Sequence, residues 1–392
     1  MLGMGRGLRL DDYDFVLPSD RIAHHAVSPA DSCDLCVYQA DNQQIDDAVF
    51  RDIVDLLDER DVLVCNDSRV MHARLRITEP RVGEIFFLRL SDQDPYTCEA
   101  LISPGKKFRV WTTWSFPARD TRIDVVEMTE EGRVLRSSRP WYELLDAYGE
   151  MPLPPYVDYS DTAADQYQSL FAQEAWSVAA PTASLHFTRP LLERLHHQGV
   201  VLHTATLHIG LWTFQRVESH DITQHAIHDE PISLGRRMRA TIAQEKHADK
   251  RHIAVGTTVT RTLESMPYLR RLLRHDAASS QIVHKMLTST AIARWDTLTA
   301  DVSLEDARRY IPTWHVDWQG VTAATELFLY PGCRFFLVDA LITNFHLPKS
   351  SLLMLVAAFI WYDEMCRIYQ HALAGSYRFY SFGDAMFLDK RS

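Results

Sequence analysis

Residues Ser177–Phe214 read SVAAPTASLHFTRPLLERLHHQGVVLHTATLHIGLWTF. Up to His186 the text is small or apolar and carries no charge. Thr188 is placed to cap a helix over Pro190–His197, with Pro190 in its first turn and Gly199 as its stop. Val200–Ile209 then reads as a β-branched strand that delivers His208 to Gly210. Two histidines beside small residues, with a helix and a strand between them, predict two walls of one pocket. An imidazole titrates near neutrality, so each ring can move a proton; each can equally be a satisfied polar group at the end of an element.

The alternation extends in both directions. Upstream, Cys33–Tyr38 reads as a short strand, Asp47–Leu57 spaces Val49, Ile53, Leu56 and Leu57 as an amphipathic helix, and Asp61–Cys65 is a buried strand running into Asn66-Asp67-Ser68-Arg69. Downstream, Ser233–Ala248 reads as an amphipathic helix and His252–Val255 as a buried strand. Gly256-Thr257-Thr258 then turns directly into a helix starting near Val259, an arrangement that offers free N–H groups and a positive dipole end to an anion. It lacks a full phosphate-loop or dinucleotide fingerprint. Tyr268–His275 reads as a basic helical segment and Leu304–Tyr310 as a helix. After them come strands ELFLYPG (326–332) and FFLVDALI (335–342), the loop TNFHLPKS (343–350), a helix Ser351–Trp361, a second helix to about Ala374 and a last strand RFYSFGDAMFL (378–388).

Strands alternating with helices predict an α/β main domain with a mixed sheet. Between Ala73 and about Arg139 the rhythm changes to short alternating runs, EIFFLRL, YTCEALIS, KKFRVWT, RIDVVEMTE and RVLRSS, with no helix among them. Such runs predict an inserted all-β barrel domain. The expected organisation is therefore an α/β domain built from residues 1–70 and 140–392, interrupted by a β-barrel domain over 71–139.

Composition is globular, with 46% hydrophobic residues, nine Trp and seventeen Phe to fill a core. The formal net charge of −11 means that a nucleic-acid partner must be met by a local basic face, for which Tyr268–His275 and the arginines of the β insertion are available. The N-terminal text has no apolar signal core, and the longest apolar run, Leu352–Trp361, is about half of the ~20 residues a membrane span needs, so a cytoplasmic protein without membrane contact is expected. Cys33 and Cys36 form a CxxC with no second pair at zinc-site spacing, and read best as small soft residues of a partly buried strand. His225 and His228 have helical HxxH spacing, followed by Glu230, but no third-ligand signature accompanies them, and no metal is expected.

Polar clusters fall where strands are expected to end: Asn66, Asp67 and Arg69; His186; His208; Thr257, Thr258, Arg261 and Glu264; Asn344, His346 and Lys349; and Asp384. In open α/β sheets such ends can converge on one crevice.

The blocks VCNDSRV (64–70), SVAAPTASLHFT (177–188), TLHIGLWTF (206–214), HAIHDE (225–230), AVGTTVTRTLES (254–265), YPGCRFFLVDALITNFHLPKSSLLMLVAAF (330–359) and RFYSFGDAM (378–386) together resemble one family. It is the S-adenosylmethionine:tRNA ribosyltransferase-isomerase family of queuosine biosynthesis, and the resemblance runs in order from about Leu10 to Leu388. It implies an α/β domain with an inserted β-barrel, and a reaction in which S-adenosylmethionine is a consumed substrate rather than a cofactor. Its ribosyl part is isomerised to an epoxycyclopentane and joined to 7-aminomethyl-7-deazaguanine at the wobble position of a tRNA with a GUN anticodon, releasing adenine and methionine. A monomer is expected.

That chemistry needs a base beside the sulfonium, a donor for the leaving adenine, a deprotonated amine and a partner for the methionine carboxylate. His186 and His208 are the leading proton-transfer candidates, with Asp67, His228, Glu230 and Glu264 behind them. Gly256, Thr257, Thr258 and Arg261 are placed to take the carboxylate, and Asn66, Arg69, Thr182, Asn344, His346, Lys349 and Asp384 complete the expected binding set. Against the family pattern, Ser184 and Trp212 stand where glycines are expected, Cys333 where an aromatic is, SCDLC (32–36) where a Ser-Arg pair is, and 266–320 is long. Two other readings follow from these departures: a paralogue using S-adenosylmethionine on a different acceptor, and a catalytically silent RNA-binding protein on the same scaffold.

Overall fold

The computed structural model describes residues 6–77, 83–90, 94–116, 121–129, 132–210, 217–235, 250–276, 279–280, 300–316 and 320–390. Strands β1 (Asp34–Gln39), β2 (Gln44–Val49) and β3 (Asp61–Asn66) come first, and short β4 (Ser68–Val70) leads into six strands. These are β5 (Arg74–Ile77), β6 (Gly83–Leu90), β7 (Thr97–Ser103), β8 (Thr113–Phe116), β9 (Thr121–Met128) and β10 (Arg133–Ser137). After them lie β11 (Glu174–Ser177), β12 (Val201–Leu207), β13 (Glu230–Gly235), β14 (Arg251–Val255), β15 (Thr313–Val316), β16 (Gly320–Thr325), β17 (Ala340–Asn344) and β18 (Ala385–Asp389).

The main sheet has ten strands in the order β15-β16-β13-β12-β3-β14-β17-β18-β1-β2. At its centre β12, β3, β14 and β17 run parallel, while β13, β15, β16 and β18 bring antiparallel pairings, so the sheet is mixed. β3 shows why the centre forms where it does. Val62 and Val64 pack into one apolar cluster and Leu63 and Cys65 into another, so both faces are covered, as a near-continuous apolar strand requires. The helix Thr257–His275, with Ser351–Ile360 and Tyr362–Ala374, covers the first face; the helix Arg189–His197 and the 3-10 segment Phe50–Leu56 cover the second. At the amino end of the parallel strands, Arg251 Nε lies 2.6 Å from Asp61 Oδ1 and Nη1 lies 2.7 Å from Asp389 Oδ2, a buried clamp of β14 to β3 and β18. The carboxyl ends are left for the cleft.

The six strands of the insertion pair antiparallel in the order β5-β6-β7-β10-β9-β8 around their own core, which includes Leu75, Ile85, Ile123, Leu135 and Trp141. Among the described residues the six strands form a curled, half-barrel sheet with β5 and β8 at its two edges. The chain enters and leaves through one clamp, Arg74 N–H to Glu150 O at 3.3 Å and Glu150 N–H to Arg74 O at 2.8 Å.

Several expected elements differ. The helix expected over Asp47–Leu57 is the end of β2 followed by a 3-10 segment, whose Phe50 and Ile53 still face the core. Residues 233–235 of the expected helix Ser233–Ala248 belong to β13, paired with β16; the remainder lies outside the described residues. ELFLYPG forms no strand, and FFLVDALI contributes only its last three residues to β17, because Phe336, Leu337 and Val338 give their N–H groups to a side chain instead of a neighbouring strand. RFYSFGDAMFL is a turn up to Asp384 and strand only from Ala385. The helix expected near Val259 begins at Thr257 and runs unbroken through Pro267 to His275, and it buries Arg270 instead of presenting it to RNA. No helix among the described residues is long and apolar enough to cross a membrane.

Candidate active site

The carboxyl ends of β3, β12, β14 and β17 carry Asn66, Leu207, Gly256 and Asn344, and a cleft opens beside them. Its lining includes Thr182, Gly256, Thr257, Thr258, Asn344, His346, Tyr156 and Tyr380. The loop Ser177–Ala180 is held here by two bonds, Val178 N–H to Ile209 O at 3.1 Å and Ile209 N–H to Ser177 Oγ at 3.1 Å. The two ends of the stretch that opened the sequence reading thus lie side by side. Gly256 sits at φ 95, a left-handed conformation that a side chain would strain, and it starts the helix Thr257–His275 against the cleft. The first N–H groups of that helix have no carbonyl within it to bond, so an anion is favoured there.

Asn344 is the most connected residue of the wall. Its Nδ2 lies 3.1 Å from His186 Nε2 and 3.2 Å from Tyr380 O, and its Oδ1 lies 3.2 Å from Thr182 Oγ1. His186 stands behind it and not on the cleft surface: its Nδ1 lies 3.1 Å from Cys33 Sγ, and its ring packs on Phe50 at 5.1 Å. Burial, helped by the positive charge of Arg378, holds the His186 imidazole down at about 4, against the opposing effect of the Asn344 contact. His346 lines the cleft, with Nε2 3.0 Å from Thr343 Oγ1, and burial keeps it neutral at about 3.

A consequence for stability follows. The folded His186 has a lower pKa than an unfolded histidine, so between pH 6.5 and 4 the unfolded chain binds the extra proton and stability falls as pH is lowered. Between pH 7 and pH 5 that one group accounts for about 2 kcal/mol. Urea unfolding of His186→Asn is expected to lose that much of the parental pH dependence, and an unchanged difference between the two pH values would contradict the buried neutral ring.

A second, smaller cleft adjoins the first across Leu352 and is lined by Gly210, His228, Asp229, Glu230, Arg261 and Phe328, among others. Arg261 and Glu230 form a buried ion pair on its wall, and Arg261 Nε also donates to Leu327 O at 3.0 Å. Burial lowers Arg261 to about 10, which leaves it charged. Arg261 therefore does not join the Gly256–Thr258 turn in a carboxylate site, as expected; it is one helical turn further on and committed to Glu230.

Other expected site residues serve the fold. Glu264 accepts N–H bonds from Phe336, Leu337 and Val338 at 2.7, 2.9 and 2.8 Å; burial raises its pKa and these bonds oppose the rise. Asp384 accepts from Arg378 N–H at 2.6 Å and Arg378 Nη2 at 2.8 Å, closing the turn before β18. Lys349 reaches Asp14 at 2.8 Å and pins the N-terminal segment. Asn66 ties β3 to β12 through Leu207 O at 3.0 Å and touches Thr258 Oγ1 at 3.5 Å. Asp67 accepts from Thr206 Oγ1 at 2.7 Å, and Arg69 is exposed on β4. His208 lies outside the lining of both clefts, near Glu174 and Asp67; burial lowers its pKa while those carboxylates oppose the shift. Its Nδ1 has no hydrogen-bond partner among the described residues. His225 and His228 are on a loop, and no group of three metal-ligating side chains occurs among the described residues.

The lining residues that the sequence reading did not single out include Tyr156, in PLPPYV (152–157), Tyr380 and Ser381. Tyr156 stacks on Tyr380 at 4.7 Å and its hydroxyl lies 2.6 Å from Ser381 Oγ. Tyr380 holds φ 77, an uncommon conformation for a bulky residue. A tyrosine directly after Pro154-Pro155 was the available signal. Of the departures from the family pattern, Ser184 is fully buried with no hydrogen-bond partner for Oγ among the described residues, and Trp212 lies outside them.

The family described as queuosine biosynthesis protein matches residues 10–388. The chain belongs to that family. Among its relatives, the S-adenosylmethionine:tRNA ribosyltransferase-isomerase of Desulfitobacterium hafniense is 38% identical over 97% of this chain and 100% of its own length. The enzyme of the same name from Magnetococcus marinus is 38% identical over 98% of this chain and 95% of its own. The crystal structure of S-adenosylmethionine tRNA ribosyltransferase from Thermotoga maritima is 28% identical, covers 96% of this chain and 99% of that one, and has a TM-score of 0.49. As a member of the queuosine biosynthesis family, the chain carries its matched region across both clefts and the β insertion.

Proposed function

We propose that this chain is an S-adenosylmethionine:tRNA ribosyltransferase-isomerase. It transfers and isomerises the ribosyl group of S-adenosylmethionine onto 7-aminomethyl-7-deazaguanine at the wobble position of a GUN-anticodon tRNA, giving epoxyqueuosine-tRNA, adenine and methionine. The observation that carries the reading is near-full-length similarity, at 38% identity, to two enzymes of that name, in a chain whose parallel strands end on two adjoining clefts. Two clefts suit a reaction with two substrates.

In this reading the larger cleft takes S-adenosylmethionine. The N–H groups of Thr257 and Thr258 meet its carboxylate, since that of Gly256 is given to Ile342 O, the Tyr156–Tyr380 pair offers aromatic faces to adenine, and Asn344, Thr182 and His346 line the ribose region. The smaller cleft takes the deazaguanine, with Asp229 and Glu230 facing its aminomethyl group and His228 placed to accept the amine proton. His186 serves by orienting Asn344, since both its ring nitrogens are occupied. His208 stays the candidate for the second proton transfer because burial lowers its pKa and its buried Nδ1 has no hydrogen-bond partner among the described residues. Asp67 buttresses that corner, and Asn66, Arg261, Glu264, Lys349 and Asp384 hold the walls. Arg69 on the exposed face of β4 and the β insertion are available to the tRNA. We read residues 71–139 as an inserted all-β barrel domain within the α/β domain of 1–70 and 140–392, supported by an apolar core that also takes in Trp141, Leu144, Leu145 and Val178. The reading makes the protein a cytoplasmic monomer with no resident cofactor.

Incubation with S-adenosylmethionine and tRNA bearing the aminomethyl-deazaguanine is expected to release adenine and methionine in step with modified tRNA. Adenine release only with some other acceptor would replace the acceptor in this reading. Tight tRNA binding without adenine release would replace catalysis altogether.

A further inference from the structure

We propose that Cys33, His186, Asn344 and Thr182 form a one-way hydrogen-bond relay that leaves the Thr182 hydroxyl only acceptor capacity toward the cleft. Cys33 and His186 are then positioning residues for a ligand group that donates a hydrogen bond. The inference rests on the reading of the larger cleft as the S-adenosylmethionine site, and the donors it has in mind are the ribose hydroxyls or the α-ammonium.

The direction of the relay follows from one carbonyl. Tyr380 O can only accept, and it already takes the Gly383 N–H at 3.0 Å, so the Asn344 atom 3.2 Å away must be the amide nitrogen. That nitrogen is a donor, and it also lies 3.1 Å from His186 Nε2, so Nε2 must carry a lone pair. A neutral imidazole with a bare Nε2 carries its hydrogen on Nδ1, which lies 3.1 Å from Cys33 Sγ. Cys33 is a thiol, since burial pushes its pKa far up, and its sulfur receives that N–H. At the other end Asn344 presents Oδ1, which accepts from Thr182 Oγ1 at 3.2 Å. The single hydroxyl hydrogen of Thr182 is spent there, and two lone pairs remain for the cleft that Thr182 lines.

The relay works only with neutral His186. An imidazolium would aim an Nε2–H at the Asn344 amide and force the amide to turn, setting Oδ1 against Tyr380 O. The charged groups around the ring include Arg378, held by Asp384, and Asp34 beside Cys33; Phe50, which packs on the ring, is apolar. The left-handed backbone of Tyr380 belongs to the same device, because it aims the carbonyl that sets the direction.

Two readouts test the relay separately from the assignment of the cleft. The first is the tautomer of His186 in 15N-histidine-labelled full-length protein at pH 7, assigned with His186→Asn. The Nδ1–H form is expected in the parental protein and in Cys33→Ser; an Nε2–H form or an imidazolium in the parental protein overturns the relay whether or not any ligand binds. The second is the dissociation constant of S-adenosylmethionine by calorimetry. Thr182→Val and Cys33→Val are each expected to weaken binding about fivefold to tenfold, with serine at either position restoring it to within about twofold. Parental affinity in both valine variants, with the Nδ1–H tautomer present, overturns the positioning role. No S-adenosylmethionine binding by the parental protein overturns the assignment of the cleft, while the tautomer still decides the relay.

Discussion

Glu230→Leu is expected to cost the protein about 3–5 kcal/mol in urea unfolding. The substitution leaves Arg261, whose guanidinium stays protonated in proteins, surrounded by protein with its carboxylate gone. The carbonyls of Leu327 and Thr325 still accept from the guanidinium at 3.0 and 3.3 Å, but they carry no compensating charge. Adding Arg261→Met to Glu230→Leu is expected to recover most of the loss, because removing both charges also removes the desolvation that each one suffers. A double variant no more stable than Glu230→Leu would show that the pair contributes through its hydrogen bonds to the 325–327 backbone and not through charge balance.

Asn344→Leu is expected to lower kcat/KM for adenine release at least about 100-fold while leaving the fold intact, the scale seen when one preorganised polar contact is removed from a site. The leucine leaves His186 Nε2, the Thr182 hydroxyl and the Tyr380 carbonyl without their common partner. Asn344→Asp sharpens the result. It keeps the shape but sets an oxygen against the Tyr380 carbonyl, and is expected to be as damaging as leucine. Near-parental kcat/KM in Asn344→Asp would mean that Asn344 fills space in the wall without directing it.

How far these sites were legible depends on the range of each interaction. The central strands, the Thr188 cap and the turn at Gly256 are local features. Thr188 Oγ1 does accept from Leu191 N, and Gly256 does hold a left-handed φ, because neighbouring residues alone determine such contacts. Glu264, Asp384, Lys349 and Arg261 were visible as charged residues at strand ends but not as structural ones. The partners of Glu264 are amides more than seventy positions later, and the salt-bridge partners of Lys349 sit in the N-terminal 3-10 segment and just past it. Residue type reveals that a charge needs a partner, and the fold decides whether that partner is a ligand or the backbone. His186 shows the same limit in reverse. Its nearness to the cleft was legible, but not that it stands behind Asn344 against a thiol more than 150 residues earlier. The 3-10 segment at Phe50 was misread because apolar spacing over one or two turns serves a 3-10 and an α-helix equally well.

The pairing of β1 with β18 has a bearing on how the chain is made. Leu35 lies in parallel register with Ala385, roughly 350 residues later, and β1 has no strand neighbour on that side until the last strand is available. At a synthesis rate of about 5–20 residues per second, the β1–β2 hairpin waits on the order of half a minute with Leu35, Cys36, Val37 and Tyr38 uncovered. These side chains are almost wholly buried in the finished protein. From the synthesis of β1 to that of β18 the nascent chain therefore carries an uncovered strand edge, the kind of exposure that makes unfinished chains prone to aggregation.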